Sequence, residues 1–79
     1  MEAKEVAVAN IEMIPVKSSN VSHIGYDLST STLVVRFNAQ KTYRYMKVPP
    51  VVWYGLQVSK SKGTFLNENV KDYFSYEVM

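Results

Sequence analysis

The sequence predicts a small α+β domain, an antiparallel β-meander sheet packed with one or two short helices. Three observations predict it: apolar and polar residues alternate through much of residues 21 to 48, Pro49 and Pro50 close that pattern, and an apolar stripe at helical spacing follows them. A chain of 79 residues supports one core, so two independent domains are excluded.

The elements follow in order. Residues 1–15 are read as an N-terminal arm or helix able to reach a neighbouring subunit, since "EAKEVAVA" has helix-forming composition but neither cap nor length. Residues 16–79 form the single domain. Its first strand spans residues 21–28, with Ile24, Tyr26 and Leu28 on one face and His23, Gly25 and Asp27 on the other. After the polar turn "STST", the second strand points Leu33, Val35 and Phe37 inward and Val34 and Arg36 outward. "NAQK" makes the next turn. "TYRYMKV" then places Tyr43, Tyr45 and Lys47 on one face and Thr42, Arg44, Met46 and Val48 on the other.

Proline cannot donate to a sheet ladder but is tolerated in a first helical turn, so a helix is expected over about 50–59. Val48, Val52 and Leu56, with Val51 and Val58, give it an apolar stripe bordered by Trp53 and Tyr54. "SKSKG" stops it, with Gly63 suited to a left-handed conformation. Asn67 is positioned to cap a second helix, "ENVKDYF", and "SYEVM" reads as a last edge strand.

Composition narrows the chemistry. With no cysteine there is no disulfide framework, thiolate zinc site or thiol nucleophile, so the small core depends on packing or on association between copies. No apolar run approaches the roughly 18 residues of a membrane span. A cytoplasmic protein without a membrane partner is expected. His23 is the only histidine, Asp27 is too distant along its strand to orient it, and the carboxylates are scattered. No enzyme, no metal site and no cofactor are therefore expected.

Charge and aromatic content point instead to binding. No acidic residue lies between Asp27 and Glu68, an interval that holds six of the nine basic side chains: Arg36, Lys41, Arg44, Lys47, Lys60 and Lys62. Such a run favours an anionic partner. "KSSN" and "SKSKG" offer hydroxyls, lysines and backbone amides, the components of a phosphate cradle. The second loop, however, follows a helix C-terminus, whose dipole opposes an anion. Six tyrosines supply flat rings; Tyr43 and Tyr45 are read first as core packing with their hydroxyls reaching the surface, a role compatible with forming the wall of a groove on which a nucleobase stacks.

From "VKSSNVSHIGYD" through "LVVRF", "YRY", "VP" and "SKSKG" to "FLNENV", the chain resembles the KTSC domain over residues 16 to about 74. That family is named for its appearance at the C-terminus of some lysyl-tRNA synthetases and includes free-standing bacterial and phage proteins. Gln40 departs from it where a turn glycine is expected, as do Ser59 for alanine and Phe74 for tyrosine. The family carries an RNA-binding expectation and no catalytic residues to transfer. In size and context the chain is also similar to phage proteins that sequester nucleotide immune signals as multimeric sponges, which would place it in a host cytoplasm.

The expected function is a homo-oligomeric, non-enzymatic binder of a small phosphate-bearing nucleotide, such as a cyclic dinucleotide held between subunits. An RNA-binding accessory module and a protein-interaction module are the alternatives. The ligand-binding residues under either nucleic-acid reading are Ser18, Ser19, Tyr43, Tyr45, Lys60, Ser61 and Lys62.

Overall fold

The computed structural model describes residues 11–79; the expected arm over 1–15 lies largely outside them. Five strands and two helices follow the chain as β1 (Ile14–Pro15), β2 (Val21–Asp27), β3 (Thr32–Phe37), β4 (Thr42–Tyr45), α1 (Pro50–Val58), α2 (Lys62–Asn69) and β5 (Tyr76–Val78). The strands form one antiparallel sheet in the order β1-β2-β3-β4-β5, so every sheet neighbour is the next strand in sequence. This is the expected small α+β meander.

Register fixes which side chains share a face. Ile24 pairs with Val35, Tyr26 with Leu33, Leu33 with Tyr45 and Val35 with Tyr43, and these residues face both helices. A bulge between Val21 and His23 inserts one residue, which brings Val21 to the same side as Ile24 although they lie three apart. Leu56 of α1, Leu66 of α2, Val48 and Val70 complete that core, all at most 4% exposed. Tyr26 stacks on Trp53 with ring centroids 5.5 Å apart, and its hydroxyl donates to the Val48 carbonyl at 2.5 Å, fastening β2 to the segment before α1.

Several expected placements are corrected. Val34, expected outward, is fully buried, because Ile11 and Met13 pack over it on the second face of the sheet. Leu28 lies past the end of β2 in the turn and is 70% exposed. β4 ends at Tyr45, and Lys47 beyond it takes a φ of 57°, so Lys47 does not continue the tyrosine face. On α1 the core side is held by Leu56, with Val52 and Trp53 packed against it, while Val51 and Val58 are exposed.

The second helix differs most from expectation. It begins at Lys62, capped by the Ser61 hydroxyl, which accepts from the Thr64 amide at 3.3 Å. Gly63 is thus helical, with no positive φ, and Asn67 lies inside the helix instead of capping it. The left-handed position in the β3–β4 turn is Gln40, with a φ of 71°, where the family pattern calls for glycine. No helix among the described residues is long and apolar enough to cross a membrane.

Gly25 is required by the cover on the second face. A Cβ there would stand 2.7 Å from the Glu12 carbonyl oxygen and from the Met13 sulfur, and 2.8 Å from Ile11 Cγ2. Because one of these obstacles is backbone, the crossing segment itself must move. Gly25→Ala is expected to destabilise the domain by about 1–3 kcal/mol, the usual cost of overpacking, read as a lowered midpoint in urea denaturation.

Candidate functional site

A cleft of about 970 Å³ opens on the helix-facing side of the sheet, between α2 and the side chains of β4 and β5. Four aromatic rings line it: Phe37, Tyr43, Tyr45 and Tyr76. They form a contiguous cluster. Phe37 meets Tyr43 edge to face at 5.3 Å, Tyr43 stacks on Tyr45 at 6.2 Å, and Tyr76 tilts against Tyr43 at 5.3 Å and Tyr45 at 5.7 Å.

Strand geometry explains this gathering. Tyr43 and Tyr45 are two residues apart on β4 and so point the same way, and Tyr45 lies opposite Tyr76 in the β4–β5 ladder. Tyr45 is the deepest of them, 4% exposed. Tyr43 is half-buried and Tyr76 half-exposed, so the cluster grades from core wall to open surface. Burial, then the neighbouring Tyr43 and Tyr76, push the Tyr45 phenol above its ordinary pKa.

Polar groups ring the aromatic floor. Asn20, Asn38 and Asn67 contribute amides, Ser19, Ser61 and Thr64 hydroxyls, and Lys41 and Lys71 positive charge, with Asp72 the one carboxylate among the lining residues. The loop before β2 is held over the cleft by the β3–β4 turn: Asn38 donates its backbone amide to the Asn20 carbonyl and its side-chain amide to the Ser19 carbonyl, both at 2.8 Å. The start of α2 also faces the cleft, through Ser61, Gly63 and Thr64. The loop expected to oppose an anion as a helix C-terminus is therefore also a helix N-terminus, whose dipole favours one.

The residues singled out from sequence divide between two places. Ser19, Tyr43, Tyr45 and Ser61 line the cleft. Ser18 braces the adjacent turn, its hydroxyl accepting from the amides of Asn20 and Val21 at 3.2 Å each. Lys60 and Lys62 line a separate groove of about 320 Å³ with Lys17, Ile14 and Gln57. There the Lys62 ammonium donates to the Gln57 carbonyl at 3.0 Å and the Ser59 carbonyl at 2.8 Å, closing the C-terminal end of α1.

The long run of uncompensated basic residues does not fold into one patch. Arg36 bonds Gln40 at 2.6 Å, and Arg44 pairs with Glu77 on the sheet face opposite the cleft. Of that run, Lys41 is the member that lines the cleft. Sequence reasoning did not assign Lys41, Lys71, Tyr76 or the asparagines to a site. A signal existed for Lys41, which directly precedes the "TYRY" strand, whereas Lys71 and Tyr76 reach the cleft only through the path of the chain after α2. Among the described residues, no group of three or more histidine, cysteine, aspartate or glutamate side chains is arranged to hold a metal ion.

The architecture is that of a small α+β domain whose one-sided helix layer leaves an aromatic cleft at the end of the sheet. The KTSC domain family matches residues 17–74, and the chain belongs to that family. It is 42% identical over 62 residues to a protein of Tsukamurella paurometabola, spanning 78% of this chain and 92% of that one. It is 34% identical over 61 residues to a lysine–tRNA ligase of Nostoc punctiforme, a match that covers 77% of this chain but 11% of the ligase. In three dimensions it is similar to the crystal structure of a KTSC domain protein from Yersinia pestis, with a TM-score of 0.85 and 32% identity, covering 87% of this chain and 97% of that one.

The buried phenol generates a pH prediction. Tyr45 ionises above the ordinary tyrosine value of about 10 in the folded state and near that value when unfolded. Its contribution to stability is then complete below pH ~10 and is lost as pH rises through the higher folded value. In an ultraviolet titration Tyr45→Phe should remove a phenol that titrates above the ordinary tyrosine range, and it should blunt the fall of the melting temperature at alkaline pH.

Proposed function

We propose that the cleft is a non-catalytic binding site for a small phosphate-bearing nucleotide. One observation carries the reading: four aromatic rings and two lysines border a single concavity of about 970 Å³. A nucleobase stacks on the accessible faces of Tyr43 and Tyr76, a contact worth about 1–3 kcal/mol per base in single-strand binders. Phosphate oxygens are met by Lys41, Lys71 and the amides at the start of α2, and the asparagine side chains supply both donors and acceptors for base edges. A cyclic dinucleotide held between subunits and sequestered without turnover is the most specific form of this reading.

A second reading is an RNA-binding accessory module, favoured by the similarity of this chain to a segment of lysine–tRNA ligases. The two separate cleanly. Affinity for RNA should grow with oligonucleotide length and fall steeply with salt, whereas a small nucleotide saturates the site at one length.

Calorimetry with mononucleotides, cyclic dinucleotides and short single-stranded RNAs at near-physiological salt tests both. Tyr43→Ala is expected to weaken binding about tenfold or more, in line with the loss of one stacked base. Lys41→Gln should weaken it and flatten its salt dependence. Lys62→Met, which alters the end of α1 and not the cleft, should lower the melting temperature and leave affinity unchanged. Absence of binding across the whole panel, or turnover of a bound nucleotide, overturns the proposal.

A further inference from the structure

The two edges of the sheet are built differently. At one edge β1 is two residues long and contains Pro15, the devices that blunt an edge against further pairing. At the other edge β5 reads Tyr-Glu-Val, without proline, lysine or bulge. Tyr76, Val78 and the following Met79 are 52%, 54% and 52% exposed, large apolar residues along a backbone edge that no further strand pairs among the described residues.

The ladder identifies which backbone groups are open. Met46 donates to the Ser75 carbonyl at 2.9 Å and Met79 donates to the Thr42 carbonyl at 2.8 Å, while Arg44 lies opposite Glu77. In an antiparallel pair the residues that bond inward alternate with residues that bond outward. Ser75, Glu77 and Met79 therefore face β4, and the N–H and C=O groups of Tyr76 and Val78 point away from the sheet.

We propose that β5 pairs antiparallel with β5 of a second copy of this chain, joining two five-stranded sheets across a two-fold axis through Glu77. This register uses every outward group of the strand: Tyr76 bonds Val78 of the partner and Val78 bonds Tyr76 of the partner. It sets the two Glu77 side chains opposite each other, which for bare carboxylates would oppose association. Each is already paired with Arg44 of its own chain on the same face, so the row of four across the axis, with the two carboxylates at its centre and an arginine at each end, sums to zero net charge. On the other face Tyr76 and Val78 meet their counterparts, and apolar surface is covered by apolar surface. That charge balance and self-complementarity favour an identical strand over a foreign one.

The pairing also bears on the cleft. Tyr76 lines it, and residues directly opposite across an antiparallel pair share a face, so both clefts open on the same side of one continuous ten-stranded sheet. The interface does not depend on what the cleft binds.

Light scattering tests the proposal, with the full chain expected to shift with concentration toward twice its 9.0 kDa mass. Val78→Pro removes an outward N–H that β4 does not use, so it should hold the protein at the monomer mass with its circular dichroism unchanged. The absence of native cysteine permits a second readout that does not rely on that variant folding. Residues facing at a non-hydrogen-bonded position lie about 4.5 Å apart at Cα, within disulfide reach. Glu77→Cys should therefore cross-link on mild oxidation much faster than Leu28→Cys, a control at the exposed turn. A full chain that stays monomeric at the highest attainable concentration, a folded Val78→Pro protein that still dimerises, or equal cross-linking of the two cysteine variants would overturn it.

Discussion

Leu33, Val34 and Val35 are consecutive in β3 and all wholly buried, so this central strand must be covered on both faces at once. Few residues are available to do so. The two helices cover one face, and the other is covered by the short segment carrying Ile11 and Met13, drawn close because Gly25, opposite Val34, has no side chain. Two thin covers on one strand give the domain its core without a second sheet. They also leave the sheet unequally covered, and the cleft lies between α2 and the β4–β5 side of the sheet.

One loop serves both helices. Ser59 and Lys62 satisfy carbonyls at the end of α1, while Ser61, between the two in sequence, caps the start of α2. A cation and a hydroxyl in a four-residue stretch thus meet opposite helix poles, each with the partner its dipole favours. The phosphate-cradle reading of "SKSKG" rests on the same residue types. It differs from the fold because side chains that close helix ends are engaged with backbone, and only Ser61 and the amides beyond it turn toward the cleft.

β2, β3, β4, β5 and the first helix were legible in the sequence because each is specified locally: alternation gives the meander strands, the paired prolines give the start of α1, and the closing strand follows its own short pattern, whereas β1 falls within the stretch expected as an arm. α2 was not legible. "KGTFLNEN" has glycine, threonine and two asparagines, all weak helix formers, and no lasting apolar stripe. Its helix rests on the Ser61 cap and on tertiary packing, with Leu66 buried in the core and Phe65 against Gly55, where a Cβ would stand 2.7 Å from the ring. Val34 departs from its alternation for a related reason. Alternation assigns it to the solvent face, and nothing local announces that a distant segment will cover that face. Of the site, the paired tyrosines, Ser19 and Ser61 were legible, whereas Lys71 and Tyr76 are brought in by a chain reversal that has no local signature.

The arginine between the tyrosines is the last step. In "TYRY" the strand period sends both rings to the cleft and Arg44 through the sheet to the opposite face, where it meets Glu77. Basic residues interleaved with aromatics along one strand therefore cannot form a joint aromatic and cationic surface, however close they stand in sequence. Positive charge at the rings has to arrive from other elements, and here it comes from the turn before β4, through Lys41, and from the chain after α2, through Lys71. The relative placement of those two elements, more than the motif itself, sets where an anion would sit against the aromatic floor.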